Sequence, residues 1–254
     1  MVNPPNVPPG ILAKNFNAKL FFIHVGEKTD KKERTFNEII KSSSVSSNNI
    51  KILWRNGDPV KVILLACEEF KVDLLLLGAL KRENVVKFYL GSIARKITRQ
   101  ANCSVLLLIK PSVERHPCQH IVVNGFDSPQ TSDTIGAAFV VAKSLGAKKI
   151  SLVEEISRSK VAETDDDDRS LRRATLRKEK LRRQEQTRVK DVVRNLPDTL
   201  KNNVNWTTQS IFGRRGYSIG HYAKVVRADL LIMNAQEKLS FIDRLITRDI
   251  EHIL

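Results

Sequence analysis

Short apolar runs alternate with helix-like patterns along the chain of 254 residues. Eight runs of six to eight residues, each bounded by turn-forming residues, predict strands at 19–25, 49–55, 73–78, 104–109, 119–124, 148–153, 204–211 and 228–233. Helical patterns lie between them at 31–42, 59–71, 84–101, 130–145, 163–195, 218–227 and 238–253. Strands that alternate with helices of this length form parallel βαβ units, so the pattern predicts an α/β fold with sheets covered on both faces.

The alternation occurs twice. Residues 13–19 resemble 142–148 at an offset of 129, and residues 71–77 resemble 227–233 at an offset of 156. We therefore expect two copies of one unit, residues 1–113 and 114–254. Because the offsets differ by 27, the second copy carries an insertion, at about 158–200, between its second and third strands.

The insertion holds much of the charge. The whole chain has a formal net charge of +15, and the segment from Arg169 to Arg194 contains eleven Lys or Arg against three acidic residues. A thin apolar stripe predicts one long basic helix, solvated on one side. The alternative is contact with nucleic acid, an anionic membrane or an acidic protein, although residues 158–201 contain no aromatic side chain.

Several classes of protein are excluded by composition. No apolar stretch approaches the ~18 residues of a membrane span, and no secretory signal pattern opens the chain. The three cysteines lack a CxxC spacing, which disfavours a zinc site or a disulfide framework and favours a cytoplasmic location. The five histidines form no metal-ligand spacing, and no catalytic triad can be assembled from motifs. We therefore expect a protein that is not an enzyme, with weak ATP hydrolysis left open.

The most informative motif closes the first copy. An apolar run ends at Gly78, Gly91-Ser92 follows at a fixed distance, and a Cys-Ser-Val strand starts at Cys103. This arrangement resembles the nucleotide loop of the universal stress protein family, Gly-x2-Gly-x9-Gly-Ser/Thr. The resemblance implies two tandem Rossmann-like or flavodoxin-like domains with strand order 3-2-1-4-5. In that order the first copy lacks its central first strand and the second its last, so we expect a fragment or an incomplete gene model.

The resemblance also implies a cofactor, ATP or a related adenine nucleotide, in the first copy. Glycines let backbone N–H groups approach phosphates, and a following helix N-terminus attracts negative charge. The implied binding residues are Val25 beside adenine and Gly78, Lys81, Gly91 and Ser92 at the phosphates. Lys81 replaces the second loop glycine, so its ammonium either binds or crowds the phosphates. The alternative is a purely structural loop, with Gly78 in a tight turn and Ser92 as a helix cap.

The second copy departs further from the family pattern. Asn234, Glu237 and Thr247 replace the three loop glycines, and Arg248 replaces the Ser or Thr. At the offset of 129, Glu154 takes the place of Val25, and Phe126, with Asp127 beside it, takes the place of the family's Asp. We expect the second copy to have lost nucleotide binding.

The expected function is that of a stress-response or regulatory protein without catalytic activity. The resemblance implies that the two copies pack as an internal pseudo-dimer, and a homodimer stays open. The rival hypothesis is a nucleotide-independent interaction module that acts through the basic helix, including a regulatory domain of a membrane transporter.

Overall fold

The computed structural model describes residues 9–42, 49–79, 92–109, 117–157, 160, 168–213 and 217–234. The chain divides into two compact units, which we name the first unit, within Asn3–His116, and the second unit, within Pro117–Leu254. Lys81, Gly91 and the helix predicted at 238–253 lie outside the described residues.

The first unit alternates helices and strands, as the apolar pattern predicts. Its elements are α1 (Pro9–Asn15), β1 (Leu20–Val25), α2 (Asp30–Ser42), β2 (Ile50–Arg55), α3 (Pro59–Glu69), β3 (Leu74–Ala79), α4 (Ser92–Gln100) and β4 (Ser104–Ile109). The start of α3 shows why the chain turns helical at that point. Asp58 is its N-cap and accepts a hydrogen bond from the Lys61 N–H at 3.0 Å, while Pro59 occupies the first turn.

The strands of the first unit form two parallel pairs. β1 pairs with β2 and β3 pairs with β4, each over six residues. Among the described residues, no strand joins the free edge of β1 to that of β3. The packing reflects this, because all six residues of β1 are only half-buried and Leu74 at the start of β3 is exposed.

The second unit contains a larger sheet. Its elements are β5 (His120–Asn124), α5 (Thr131–Leu145), β6 (Lys149–Ser157), α6 (Asp168–Arg194), α7 (Asp198–Lys201), β7 (Asn205–Gly213), α8 (Tyr217–Val225) and β8 (Leu230–Ile232). The four described strands are all parallel and lie in the order β7-β6-β5-β8, with all of β5 buried. This confirms the α/β fold with parallel sheets, and it matches the first four positions of the expected order.

Helices cover both faces of this sheet. On one face α5 and α6 bury a cluster that includes Phe139, Ile150, Leu152, Val189 and Val193. On the other face α8 packs Ile219 and Ala223 against Val122 and Val153. A sheet buried on both faces explains why the central strand β5 carries a continuous apolar run at 121–123.

Two helices and one strand extension were missed by the sequence pattern. α1 and α7 span only seven and four residues, too short to show a helical period. β6 continues to Ser157, four residues beyond the predicted end, through the buried pair Glu154-Glu155.

No helix among the described residues is long and apolar enough to cross a membrane.

Candidate nucleotide site

The predicted site residues of the first unit lie at the ends of separate elements. Val25 is the last residue of β1 and Gly78 the penultimate residue of β3, where it pairs with Leu108. Ser92 is the first residue of α4 and is exposed. Within the described part of the unit, no hydrogen bond links one of these three residues to another.

Gly78 does not form the tight turn that the structural alternative required. It lies inside β3, and its φ is not in the left-handed region that favours glycine. A Cβ built at Gly78 would meet no described atom within 4 Å. Neither the backbone nor the described packing therefore demands glycine at this position.

The loop after β1 is held by a glycine that the backbone does require. Gly26 has φ +128°, which L-residues rarely adopt, and its N–H donates to the Arg55 carbonyl at 2.8 Å. Beside this loop, the rings of His24, Phe36 and Trp54 contact one another edge to face, with centroids 5.2–6.3 Å apart. The aromatic contacts fix the end of β1 against α2.

The corresponding edge of the second unit is occupied by its own side chains. Asn124 ends β5, and its Oδ1 accepts a hydrogen bond from the Phe126 N–H at 3.0 Å. Asn234, which replaces the first loop glycine, donates from Nδ2 to the Ser128 Oγ at 2.6 Å. The residue at the end of the first strand of this unit is thus Asn124, and Phe126 and Asp127 lie in the loop beyond it. The rule that strand ends carry site residues would have found Asn124, since it ends the apolar run.

Helix α6 also packs onto this edge. The Arg188 Nη2 donates a hydrogen bond to the Gly125 carbonyl just after β5, and its Nε lies 3.8 Å from the Asp127 Oδ1. A Cβ at Gly125 would approach the Val189 Cγ2 at 3.2 Å. The thin apolar stripe predicts this helix, but a general excess of arginines does not single out Arg188 as the residue that contacts the Gly125 carbonyl.

Glu154 is a buried carboxyl group of the second unit. Glu154 is 2% exposed, its Oε2 accepts a hydrogen bond from the Ser210 Oγ at 2.7 Å, and its buried Oε1 has no hydrogen-bond partner among the described residues. Burial raises the pKa of Glu154 from 4.5 to about 7, although the Ser210 hydrogen bond and the Arg188 charge oppose the rise. The neighbouring Glu155 accepts from the Ile219 N–H at 2.7 Å and thereby caps the start of α8.

The structure corrects the equivalence of Glu154 with Val25. Side chains alternate between the two faces of a strand. Val25 shares a face with Phe21, which stacks on Phe70 at the end of α3, whereas Glu154 shares a face with Leu152, which packs on α6. In the chain order, α6 holds the place that α2 holds in the first unit, and α2 contacts β1 at His24, on the face opposite to Val25. Glu154 therefore lies on the opposite face from Val25, and the offset of 129 is wrong by one residue here.

The cysteines and metal-binding residues add no site of their own. Burial raises the pKa of the Cys67 thiol, which lies beside Cys103, to about 11, and that of the Cys118 thiol to about 12. Such thiols are protonated and unreactive near neutral pH. Among the residues described, no group of three or more His, Cys, Asp or Glu side chains is placed to hold a metal ion.

Comparison with known proteins identifies part of the chain. Residues 28–108 match the model of the universal stress protein family. Universal stress protein MJ0531 of Methanocaldococcus jannaschii is 33% identical over 58 residues, which are 23% of this chain and 34% of that protein. The chain thus spans about a third of the length of this curated relative.

Solved structures share the fold over nearly the whole chain. A universal stress protein of Archaeoglobus fulgidus superposes with a TM-score of 0.57 and 15% identity, covering 96% of this chain and 85% of that one. A candidate universal stress protein of Pseudomonas aeruginosa gives a TM-score of 0.60 at 13% identity, covering 96% of this chain and 81% of the other. Identities this low show the fold alone. Residues 28–108 therefore match the universal stress protein family model, within a chain that shares the α/β fold of the solved universal stress proteins.

Proposed function

We propose that this chain is a tandem universal stress protein that regulates without catalysing a reaction. Its first unit binds ATP or a related adenine nucleotide, and its second unit has lost that ability. The family match supports the first part, because residues 28–108 contain Gly78, Lys81, Gly91 and Ser92.

Gly78 is the observation that carries the proposal. Glycine weakens a strand because it adds backbone entropy and packs no side chain, and it often marks a close approach to a ligand. At Gly78 the backbone is ordinary and the described neighbours leave room for a Cβ, so packing against the described residues does not explain the glycine. Close approach of phosphates to the end of β3 does explain it.

The start of α4 supplies the second part of the proposed site. Ser92 opens this helix of nine residues, whose first N–H groups have no partner within the helix. The positive end of the helix dipole favours a phosphate there, and the Ser92 hydroxyl can donate to a phosphate oxygen.

The second unit offers a contrast within the same chain. Asn234 replaces the glycine and binds the loop after β5, while Arg188 and Val189 of α6 lie against Gly125. These contacts support the proposal that its edge serves packing and leaves no place for a nucleotide.

Calorimetric titration with ATP, AMP and cyclic AMP tests the proposal. Wild type is expected to bind at least one of them, and Gly78→Val is expected to lose that binding because its branched side chain fills the space beside β3. Gly136→Ala is the control, since a Cβ there meets the Leu196 Cδ2 at an ordinary 3.7 Å. Thermal unfolding of each variant, and the smaller Gly78→Ala, separates loss of the site from loss of the fold. Absence of binding in folded wild type would refute the proposal.

The absence of catalysis has its own test. Phosphate release from ATP is expected to stay at the uncatalysed rate. Release that disappears in folded Gly78→Val would show instead that the site hydrolyses its nucleotide.

A further inference from the structure

The charge of α6 is not neutralised within the helix. Between Arg169 and Arg194 it carries eleven basic and three acidic residues, which leaves a net charge of +8. Each acidic side chain pairs with the arginine three residues later, in the pairs Glu179–Arg182, Glu185–Arg188 and Asp191–Arg194. With Asp168 at its first position counted as well, the helix of 27 residues has eleven basic and four acidic residues and a formal net charge of +7.

The two halves of α6 have different environments. Val189 and Val193 in the second half are fully buried in the core of the second unit. Between residues 171 and 180, by contrast, no side chain is buried, and Leu171 and Leu176 are 69% and 64% exposed. α6 connects the end of β6 to the start of the parallel strand β7, so it runs antiparallel to the strands. Because Arg188 contacts Gly125 just after β5, the helical turns before Arg188 extend past the carboxyl end of β5.

Five of the cations lie along one side of the helix, and we name them the basic stripe. Its members are Arg172, Arg173, Lys180, Arg183 and Lys190, all with exposed side chains. At about 100° per residue they fall within an arc of about 100°, whose centre lies about 130° around the helix from the midpoint of Val189 and Val193. At about 1.5 Å per residue the basic stripe is about 27 Å long. That length corresponds to about eight base pairs of a duplex, whose strands rise about 3.4 Å per nucleotide.

The chemistry of the basic stripe selects among polyanionic partners. A membrane-inserting helix needs an apolar face, but Leu171 and Leu176 are about 140° apart around the helix and the buried valines are already covered. Stable protein interfaces use aromatic and other apolar anchors at their centre. Single-stranded nucleic acid is held by aromatic stacking, and residues 158–201 contain no aromatic side chain. A straight row of Arg and Lys side chains can, by contrast, contact and neutralise the regularly spaced phosphates of a duplex.

We propose that the basic stripe of α6 binds the phosphate backbone of double-stranded nucleic acid, without reading its base sequence. The contact is independent of the nucleotide site, because it involves only the second unit.

Fluorescence anisotropy of a labelled 20-base-pair duplex of mixed sequence tests this with the full chain. With five phosphate contacts, the slope of log K against log salt is expected to be about −4.5, so affinity falls about 500-fold between 50 and 200 mM salt. Two duplexes of different sequence are expected to bind equally. The triple variant Arg173→Gln, Lys180→Gln and Arg183→Gln is expected to reduce the magnitude of the slope by about 3.

A matched control removes the same charge elsewhere. Lys31→Gln, Arg34→Gln and Lys41→Gln lie on α2 of the first unit, are exposed, and are expected to leave duplex binding nearly unchanged. All six positions are on the surface, so thermal unfolding is expected to match wild type for both variants.

Three results would overturn the proposal. They are no duplex binding at 50 mM salt, equal losses in the two triple variants, and tighter binding to phosphatidylserine vesicles or to a single strand of the same length than to the duplex.

Discussion

Replacing Glu154 by Gln should remove a pH dependence from the stability of the second unit. Glu154 is 2% exposed, and burial raises its pKa from 4.5 to about 7 in the folded chain. Between these two values the folded state binds more protons than the unfolded state, so the free energy of unfolding falls as pH rises. A glutamine keeps the side-chain volume and can still hydrogen-bond to Ser210, but it does not titrate.

The magnitude follows from the two pKa values. Linkage between pKa values of 4.5 and about 7 gives a loss of about 2 to 3 kcal/mol between pH 5 and pH 8 in the wild type. Most of this loss occurs from pH 5 to pH 7, and the loss is complete well above the pKa of Glu154 in the folded chain. Over the same pH interval, the free energy of unfolding of Glu154→Gln should fall less than that of the wild type by this amount.

Urea unfolding at pH 5, 6, 7 and 8 measures the difference. In a Trp54→Phe background the fluorescence reports Trp206, which packs on the core of the second unit. Glu179→Gln is the control, since Glu179 is on α6 with a side chain 45% exposed. Parallel pH profiles for wild type and Glu154→Gln would contradict the raised pKa, because they would mean that Glu154 titrates alike in the folded and unfolded chain.

Three further substitutions test the packing and the loops by urea unfolding. Val193→Ala should destabilise the second unit by about 2 kcal/mol because it removes two buried methyl groups, whereas Leu176→Ala, 64% exposed, should change the free energy of unfolding by less than about 0.5 kcal/mol. Gly26→Ala should cost about 1–3 kcal/mol because φ +128° strains an L-residue, and equal stability of this variant and wild type would contradict the assigned backbone. Asp58→Ala should cost about 1 kcal/mol through loss of the N-cap of α3, and Asp58→Asn should restore most of it.

Much of the fold could be predicted from apolar spacing alone. β4 begins and ends where the pattern places it, and α6 was predicted within a few residues because Val189 and Val193 recur at helical spacing. The end of β6 could not be predicted this way, because two consecutive glutamates usually indicate a solvent-exposed segment. Here Glu154 and Glu155 are buried, with Ser210 and the Ile219 N–H as partners from β7 and α8.

The site was predicted less completely than the fold. The motif singles out Gly78 and Ser92, and the apolar run places Gly78 at the end of a strand, but neither pattern shows the space beside Gly78. The one-residue error at Glu154 arose because low identity fixes an alignment only approximately, while the face of a strand changes with every residue. The sequence does not distinguish Arg188 from the other ten basic residues of its segment, since only the fold brings it to Gly125.

Hydrogen–deuterium exchange with and without saturating ATP locates the segments that the proposed nucleotide protects. We expect slower exchange at the end of β1, at Leu74–Ala79 and at the start of α4, with no change at Leu230–Ile232 of the second unit. Protection confined to the second unit, or no protection anywhere, would contradict the proposed nucleotide site.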